Sequence, residues 1–146
     1  MKETVLVTGG AGYIGSHTAV ELIQAGFDVV IADNLSNSDL QAVEGVRRIT
    51  SAEVPFEQID CCDLQAMRRL FERHEFRSVI HFAASKAVGE SVAQPLRYYR
   101  NNLDATLTLC EVMRAHNVKR FVFSSSATVY GVPDEVPLRE DMFCKG

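Results

Sequence analysis

Four glycines, Gly9, Gly10, Gly12 and Gly15, crowd one short stretch, and a single carboxylate, Asp33, closes a Val/Ile run 18 residues after the last of them. Gly10, Gly12 and Gly15 fit G-x-G-x-x-G, while Gly9, Gly12 and Gly15 fit the looser G-x-x-G-x-x-G. Without a Cβ, a turn reaches dihedrals closed to other residues and lets a pyrophosphate approach the backbone. A helix starting there offers free N–H groups and the positive end of its dipole to phosphates. Glycine spacing alone also suits an ordinary tight turn. Set between a strand and a helix, it points to dinucleotide binding.

Asp33 is placed to accept hydrogen bonds from the adenosine ribose hydroxyls and to repel a 2′-phosphate. No Arg or Lys stands between Asp33 and Gln41 to welcome that phosphate, so NAD is expected over NADP. The plainer reading of Asp33 is a helix cap or turn residue. Asp60 ends a later strand, where meeting the adenine and capping the next helix are equally open. Ser124-Ser125-Ser126-Ala127-Thr128-Val129-Tyr130-Gly131 follows a further strand, and its hydroxyls could bond a sugar or a reacting oxygen. From residue types alone, a polar turn is the stronger reading.

Strands and helices alternate to position these groups. Thr4–Thr8 and Asp28–Asp33 read as buried strands. Between them Ile14, Thr18 and Leu22 recur at helical spacing, with Gly26 placed to end the helix. Ser38 with Gln41 forms a capping box for a helix carrying Leu40, Val43 and Val46. A strand over 54–60 precedes a helix from Asp63 with Leu64, Met67, Leu70 and Phe71 on one face. Strands over 78–83 and 119–124 flank a long helix opened by Pro95, with Leu96, Tyr99, Leu103, Leu107 and Cys110 in one stripe. This alternation predicts an α/β fold, a parallel sheet with helices on both faces and a ligand beyond the carboxyl ends of the strands.

The 146 residues suit one domain, 47% hydrophobic and 23% charged. A net charge of -4 argues against a broad nucleic-acid or anionic-membrane surface, and no apolar run is long enough for a membrane span. Cys61, Cys62, Cys110 and Cys144 form no CxxC pair and no secretory leader precedes the first strand, so a cytoplasmic protein with free thiols is expected. Cys61 and Cys62 read as inert thiols, His81 as core, His17 as a packing or capping residue, and His74 and His116 as surface helix ends. No His/Cys/Asp/Glu spacing suggests a metal.

"TGGAGYIGSH", "HFAASKAVGESV", "YYRNN" and "FSSSATVYG" together resemble the extended short-chain dehydrogenase/reductase superfamily, and within it the UDP-glucose 4-epimerase branch. The glycine stretch marks the superfamily; "KAVGES" and "SSSATVYG" narrow it. The resemblance runs along almost the entire chain and implies a Rossmann-type, doubly wound NAD-binding domain over residues 1–146. It places Gly9, Gly12, Tyr13, Ile14 and Gly15 at the pyrophosphate. Asp33, Asn34, Leu35, Ser36, Asn37 and Ser38 would line the adenosine ribose, with Asp60 and Cys61 at the adenine. Phe82, Ala83, Ala84, Ser85, Lys86 and Asn101 would complete the cofactor pocket. Ser126 would hydrogen-bond the sugar hydroxyl being oxidised. Such enzymes interconvert UDP-galactose and UDP-glucose by oxidising C4, turning the 4-keto sugar and returning hydride to its other face. They commonly form homodimers through the long helix.

One departure stands out. The family's base is a Tyr with a Lys four residues on, which lowers the Tyr pKa. Here Tyr13 has His17, Tyr98 has Asn102, Tyr99 has Leu103 and Tyr130 has Asp134. The expectation is therefore a domain cut after its fifth strand, inactive alone, without the Tyr/Lys helix and the UDP-sugar lobe. Three functions stay open: such an epimerase, another nucleotide-sugar enzyme (a dehydratase or a decarboxylase), and a non-enzymatic NAD-binding module.

Overall fold

Alternate residues of the two central strands face opposite ways, and each set finds its own helices. In the computed structural model, which describes residues 2–145, β1 (Thr4–Thr8) pairs in parallel with β2 (Asp28–Asp33), Leu6 opposite Val30. Met1 and Gly146, the ends of the expected domain, lie outside the described residues. The chain continues through α1 (Tyr13–Gln24), α2 (Leu40–Thr50), β3 (Phe56–Gln58), α3 (Leu64–Arg73), β4 (Ser78–His81), α4 (Val88–Ala93), α5 (Pro95–Ala115) and β5 (Arg120–Phe123). Leu6, Val30 and Ala32 pack with Met67, Leu70 and Phe71 of α3 and Ala105, Leu109 and Val112 of α5. Val5, Val7, Val29 and Ile31 point the other way, onto Ala19 of α1 and Val43 and Val46 of α2. Val, Ile and Leu suit strands covered on both faces.

The sheet has five strands in the order β3-β2-β1-β4-β5, all pairs parallel. The chain builds outward from β1 through β2 to β3, then returns to lay β4 on the other side of β1. That reversal opens a crevice beyond the carboxyl ends of β1 and β4. The expected α/β, Rossmann-type sheet is present, with strands shorter than expected: 56–58 rather than 54–60, 78–81 rather than 78–83, and 120–123 rather than 119–124.

Four local expectations need correction. The cap of α2 is Asp39, whose carboxylate accepts from the Gln41 N–H at 2.8 Å, because the Ser38 hydroxyl instead donates to Asp33 at 2.7 Å. Asp60 lies past the end of β3 and accepts from the Cys62 N–H in a tight turn, leaving the α3 cap to Asp63. On α5 the stripe of Leu96, Tyr99, Leu103, Leu107 and Cys110 faces outward, while Tyr98, Ala105, Leu109, Val112 and Met113 are buried. On α1 the buried face is Gly15 and Ala19, and Ile14 is exposed. Gly26 does end α1, at φ +94° just past the cap residue Ala25.

Candidate functional site: the crevice beyond β1, β2 and β4

The glycine turn is wedged between its neighbours. Gly9 donates its N–H to Ala32 O at 2.8 Å, and the Phe82 N–H donates to Thr8 O at 2.9 Å, so β2 and β4 grip the turn from both sides. At Gly9 φ is +69°, and a Cβ would fall 2.6 Å from Ala83 N. At Gly15 a Cβ would fall 2.3 Å from Gly9 O and 2.8 Å from Gly10 Cα. These are backbone atoms that no rotamer change can move, so only glycine lets helix and turn come this close. Gly12, in extended conformation, opens α1, which has neither a side-chain cap nor an acidic residue in its first turn. The first-turn N–H groups of Tyr13, Ile14 and Gly15 are thus left to an anion. Tyr13 and Ile14 are exposed at that end.

Asp33 is buried at the end of β2 and is held by three donors. Its Oδ2 accepts from the Ala11 N–H at 3.1 Å; its Oδ1 accepts from the Leu35 N–H at 2.9 Å and the Ser38 hydroxyl at 2.7 Å. The carboxylate thus ties the glycine turn to the loop of Asn34, Leu35, Ser36, Asn37 and Ser38. Leu35 takes a left-handed φ of 57° in that loop, and Asn34 Oδ1 accepts from the Ser36 N–H.

The loop after β4 carries Phe82, Ala83, Ala84, Ser85 and Lys86, and α5 holds it down. Asn101 Nδ2 donates to Ser85 Oγ at 3.2 Å, and the Cys62 thiol donates to Asn101 O at 3.5 Å. The turn carrying Asp60, Cys61 and Cys62 therefore meets α5 beside that loop. Burial first, then the nearby Asp60, pushes the Cys61 thiol up to about 12 and Cys62 up to about 11. Thiols held protonated this way are poor nucleophiles.

Ser126 stands apart from this cluster. It caps a short 3-10 helix, Ala127–Tyr130, accepting from the Thr128 N–H at 3.3 Å and sharing a 2.8 Å hydroxyl pair with Thr128. It lies past the carboxyl end of β5, exposed, and its hydrogen bonds stay within its own turn. The buried side of the crevice is brought together as expected; the serine turn is placed on the same rim without being tied to it.

Compared with known proteins, the sequence matches the family model described as GDP-mannose 4,6 dehydratase over residues 6–145. The chain belongs to this family. Within it, the chain is similar to UDP-glucose 4-epimerases. It is 56% identical to that of Bacillus subtilis over 137 residues, 94% of this chain and 40% of the relative. The structure of UDP-glucose 4-epimerase from Bifidobacterium longum in complex with NAD+ and UDP superposes with a TM-score of 0.93 at 52% identity, over 98% of this chain and 43% of that one. The enzyme from Stenotrophomonas maltophila, with bound NAD and formylated UDP-arabinopyranose, gives 0.92 at 48% identity, over 97% of this chain and 42% of that one. The chain thus spans about two-fifths of the length of the relatives it matches.

The structure adds residues that the sequence reading passed over. Asn102 Oδ1 accepts from the Ser85 N–H at 2.8 Å while its Nδ2 donates to Ser85 O at 2.9 Å, pairing with the loop as a neighbouring strand would. Thr8 and Thr106 bond the two ring nitrogens of His81. One signal was visible: two adjacent Asn inside a long helix are poor helix formers, which calls for tertiary partners. The backbone N–H of Ala11 gave no signal at all, because its partner depends on the fold.

Proposed function

We propose that the protein carrying this chain is an NAD-dependent UDP-glucose 4-epimerase, and that these residues form its cofactor-binding part. The observation that carries the cofactor reading is the buried Asp33 carboxylate bonded to Ala11 beneath a glycine turn with no room for a Cβ at Gly9 or Gly15. Such a cradle suits a pyrophosphate over Gly9, Gly12, Tyr13, Ile14 and Gly15. Asp33 with the Asn34–Ser38 loop would take the adenosine ribose, Asp60 and Cys61 the adenine, and Phe82–Lys86 with Asn101 the remainder. A carboxylate at the ribose disfavours a 2′-phosphate, which selects NAD over NADP. Identity of 56% to a named UDP-glucose 4-epimerase supports the epimerase reading over the dehydratase, decarboxylase and non-enzymatic alternatives.

When bound, NAD supplies the hydride acceptor and donor for C4 of the sugar. The chain's own residues bind and orient. Gly9 and Gly15 let turn and helix close-pack, which presents the first-turn N–H groups of α1 to the phosphates, and Ser126 offers a hydroxyl to the sugar oxygen at C4. An unassisted serine is too weak an acid to replace an activated tyrosine, and no Tyr of this sequence has a Lys four residues on. The base belongs to sequence beyond these residues, in the full length of the relatives. By the same reading the substrate is a UDP-hexose, the setting is galactose metabolism in the cytoplasm, and the enzyme is a homodimer. No helix among the described residues is long and apolar enough to cross a membrane. The exposed Leu96, Tyr99, Leu103 and Leu107 of α5 form the apolar face that supports the dimer.

The test uses protein of the relatives' full length that begins with this chain. It should convert UDP-galactose to UDP-glucose and sediment as a dimer, whereas residues 1–146 alone should give no turnover above background with NAD added. A full-length protein that holds NAD yet converts neither sugar would refute the epimerase reading, and a monomer would refute the assembly.

A further inference from the structure

His81 sits at the end of β4, 2% exposed, with a hydroxyl on each ring nitrogen. We propose that His81 is a positioning residue which joins the glycine turn to α5, and through α5 to the loop after β4, so that this joint sets how tightly the dinucleotide is held. The proposal rests on the cofactor reading above.

The hydrogen bonds assign the ring's tautomer. Thr106 has one hydroxyl proton and gives it to Asn102 O at 2.9 Å. Towards His81 Nε2, 3.3 Å away, Thr106 therefore presents a lone pair, and Nε2 carries the hydrogen. That leaves Nδ1 bare, accepting the hydroxyl proton of Thr8 at 2.6 Å. In this arrangement both ring nitrogens are satisfied with no charge on the ring. The other tautomer would set a bare Nε2 against the Thr106 oxygen, whose proton is already given to Asn102 O. The ring lies against Phe121 and Phe123 with only hydroxyls bonded to it, and its burial away from water disfavours an imidazolium.

Each end of the ring reaches a different side of the crevice. Thr8 is the residue before Gly9 and accepts the Phe82 N–H. Thr106 lies one helical turn beyond Asn102, the residue that clasps Ser85 at both its N–H and its C=O. The path Gly9, Thr8, His81, Thr106, Asn102, Ser85 is continuous, and none of its inner members is among the residues expected to touch the cofactor. Removing a partner strands a buried polar atom, which is worth on the order of tenfold in an equilibrium.

The experiment combines NMR of the imidazole nitrogens with NAD titration, both on protein of the relatives' full length. In the unmutated apoprotein His81 should be neutral with its hydrogen on Nε2. Thr106→Val should weaken NAD binding about tenfold, with thermal unfolding still cooperative, and Thr106→Ser should restore most of the affinity because it keeps the hydroxyl. A hydrogen on Nδ1, or a charged ring at neutral pH, overturns the proposal without any mutant having to fold. So does a folded Thr106→Val protein of parental affinity. An unmutated protein that takes up no NAD overturns the cofactor reading itself, whatever the tautomer.

Discussion

The glycine turn and the serine turn occupy the same rim of the sheet and are built in opposite ways. At the glycine turn every neighbour is fixed: Ala32 and Asp33 on one side, Phe82 and Ala83 on the other, with no room for a methyl group at Gly9 or Gly15. At the serine turn Ser124, Ser125, Ser126 and Thr128 are exposed, and Ser126 bonds only within its own turn. Even β5, which delivers that turn, exposes Val122 and Phe123, whereas Val7 and Ile31 on β1 and β2 are fully buried. The difference teaches that the glycine turn is preorganised by its own packing. The serine turn, among the described residues, is held only by bonds within itself.

The largest effect should come from breaking the closed side. Gly15→Ala would drive a Cβ to 2.3 Å from Gly9 O, so turn and helix must separate. Forced overpacking costs about 1–3 kcal/mol in cores and more against backbone, so both thermal stability and NAD binding should fall sharply. Gly12→Ala, whose nearest contact would be 3.2 Å, should be far milder. Equal behaviour of the two variants, by calorimetry and NAD titration, would mean the turn is not closed as described.

Acid should weaken the closed side next. Burial pushes His81 from its ordinary 6.5 down to about 4. Below pH 6.5 the unfolded chain binds a proton that the folded chain refuses until about 4, so the stability tied to neutral His81 is complete above 6.5. It falls as pH drops through that window. Thermal midpoints measured from pH 7 to about 4 should decline less steeply in His81→Asn than in the parent. Identical slopes would show that this ring does not govern the window.

Smallest in its effect on the fold should be Ser126→Ala. Exposed and locally bonded, Ser126 should leave stability and NAD content nearly unchanged while turnover of full-length enzyme falls by about tenfold or more. Turnover within about a factor of two of the parent would leave it a turn residue.

How much could be read beforehand follows from how local each cause is. The glycine turn, Asp33 and Gly26 announce themselves because turn, carboxylate and helix stop are chemistry of a few adjacent residues. Ser38 and Asp39 are both good caps, and only the distant Asp33 decides between them by claiming the Ser38 hydroxyl. On α5 the spacing of Leu96, Tyr99, Leu103 and Leu107 marks a stripe, yet periodicity cannot say which of two apolar stripes meets the sheet. Ala105, Leu109 and Val112 do, as smaller or better-placed side chains under Leu6 and Val79. The Asn102 clasp and the His81 joint bridge elements far apart in sequence, so no local pattern reveals them.

On the proposal above, Asp33, held beneath the glycine turn, makes this a site for NAD. Titration calorimetry of NAD and NADP into the parent and Asp33→Ala proteins, at the relatives' full length, tests it most directly. The parent should bind NAD well and NADP poorly. Asp33→Ala should weaken NAD and shrink the NAD/NADP ratio, since the ribose loses its acceptor and the 2′-phosphate loses its repulsion. An unchanged ratio with NAD affinity intact would contradict the account.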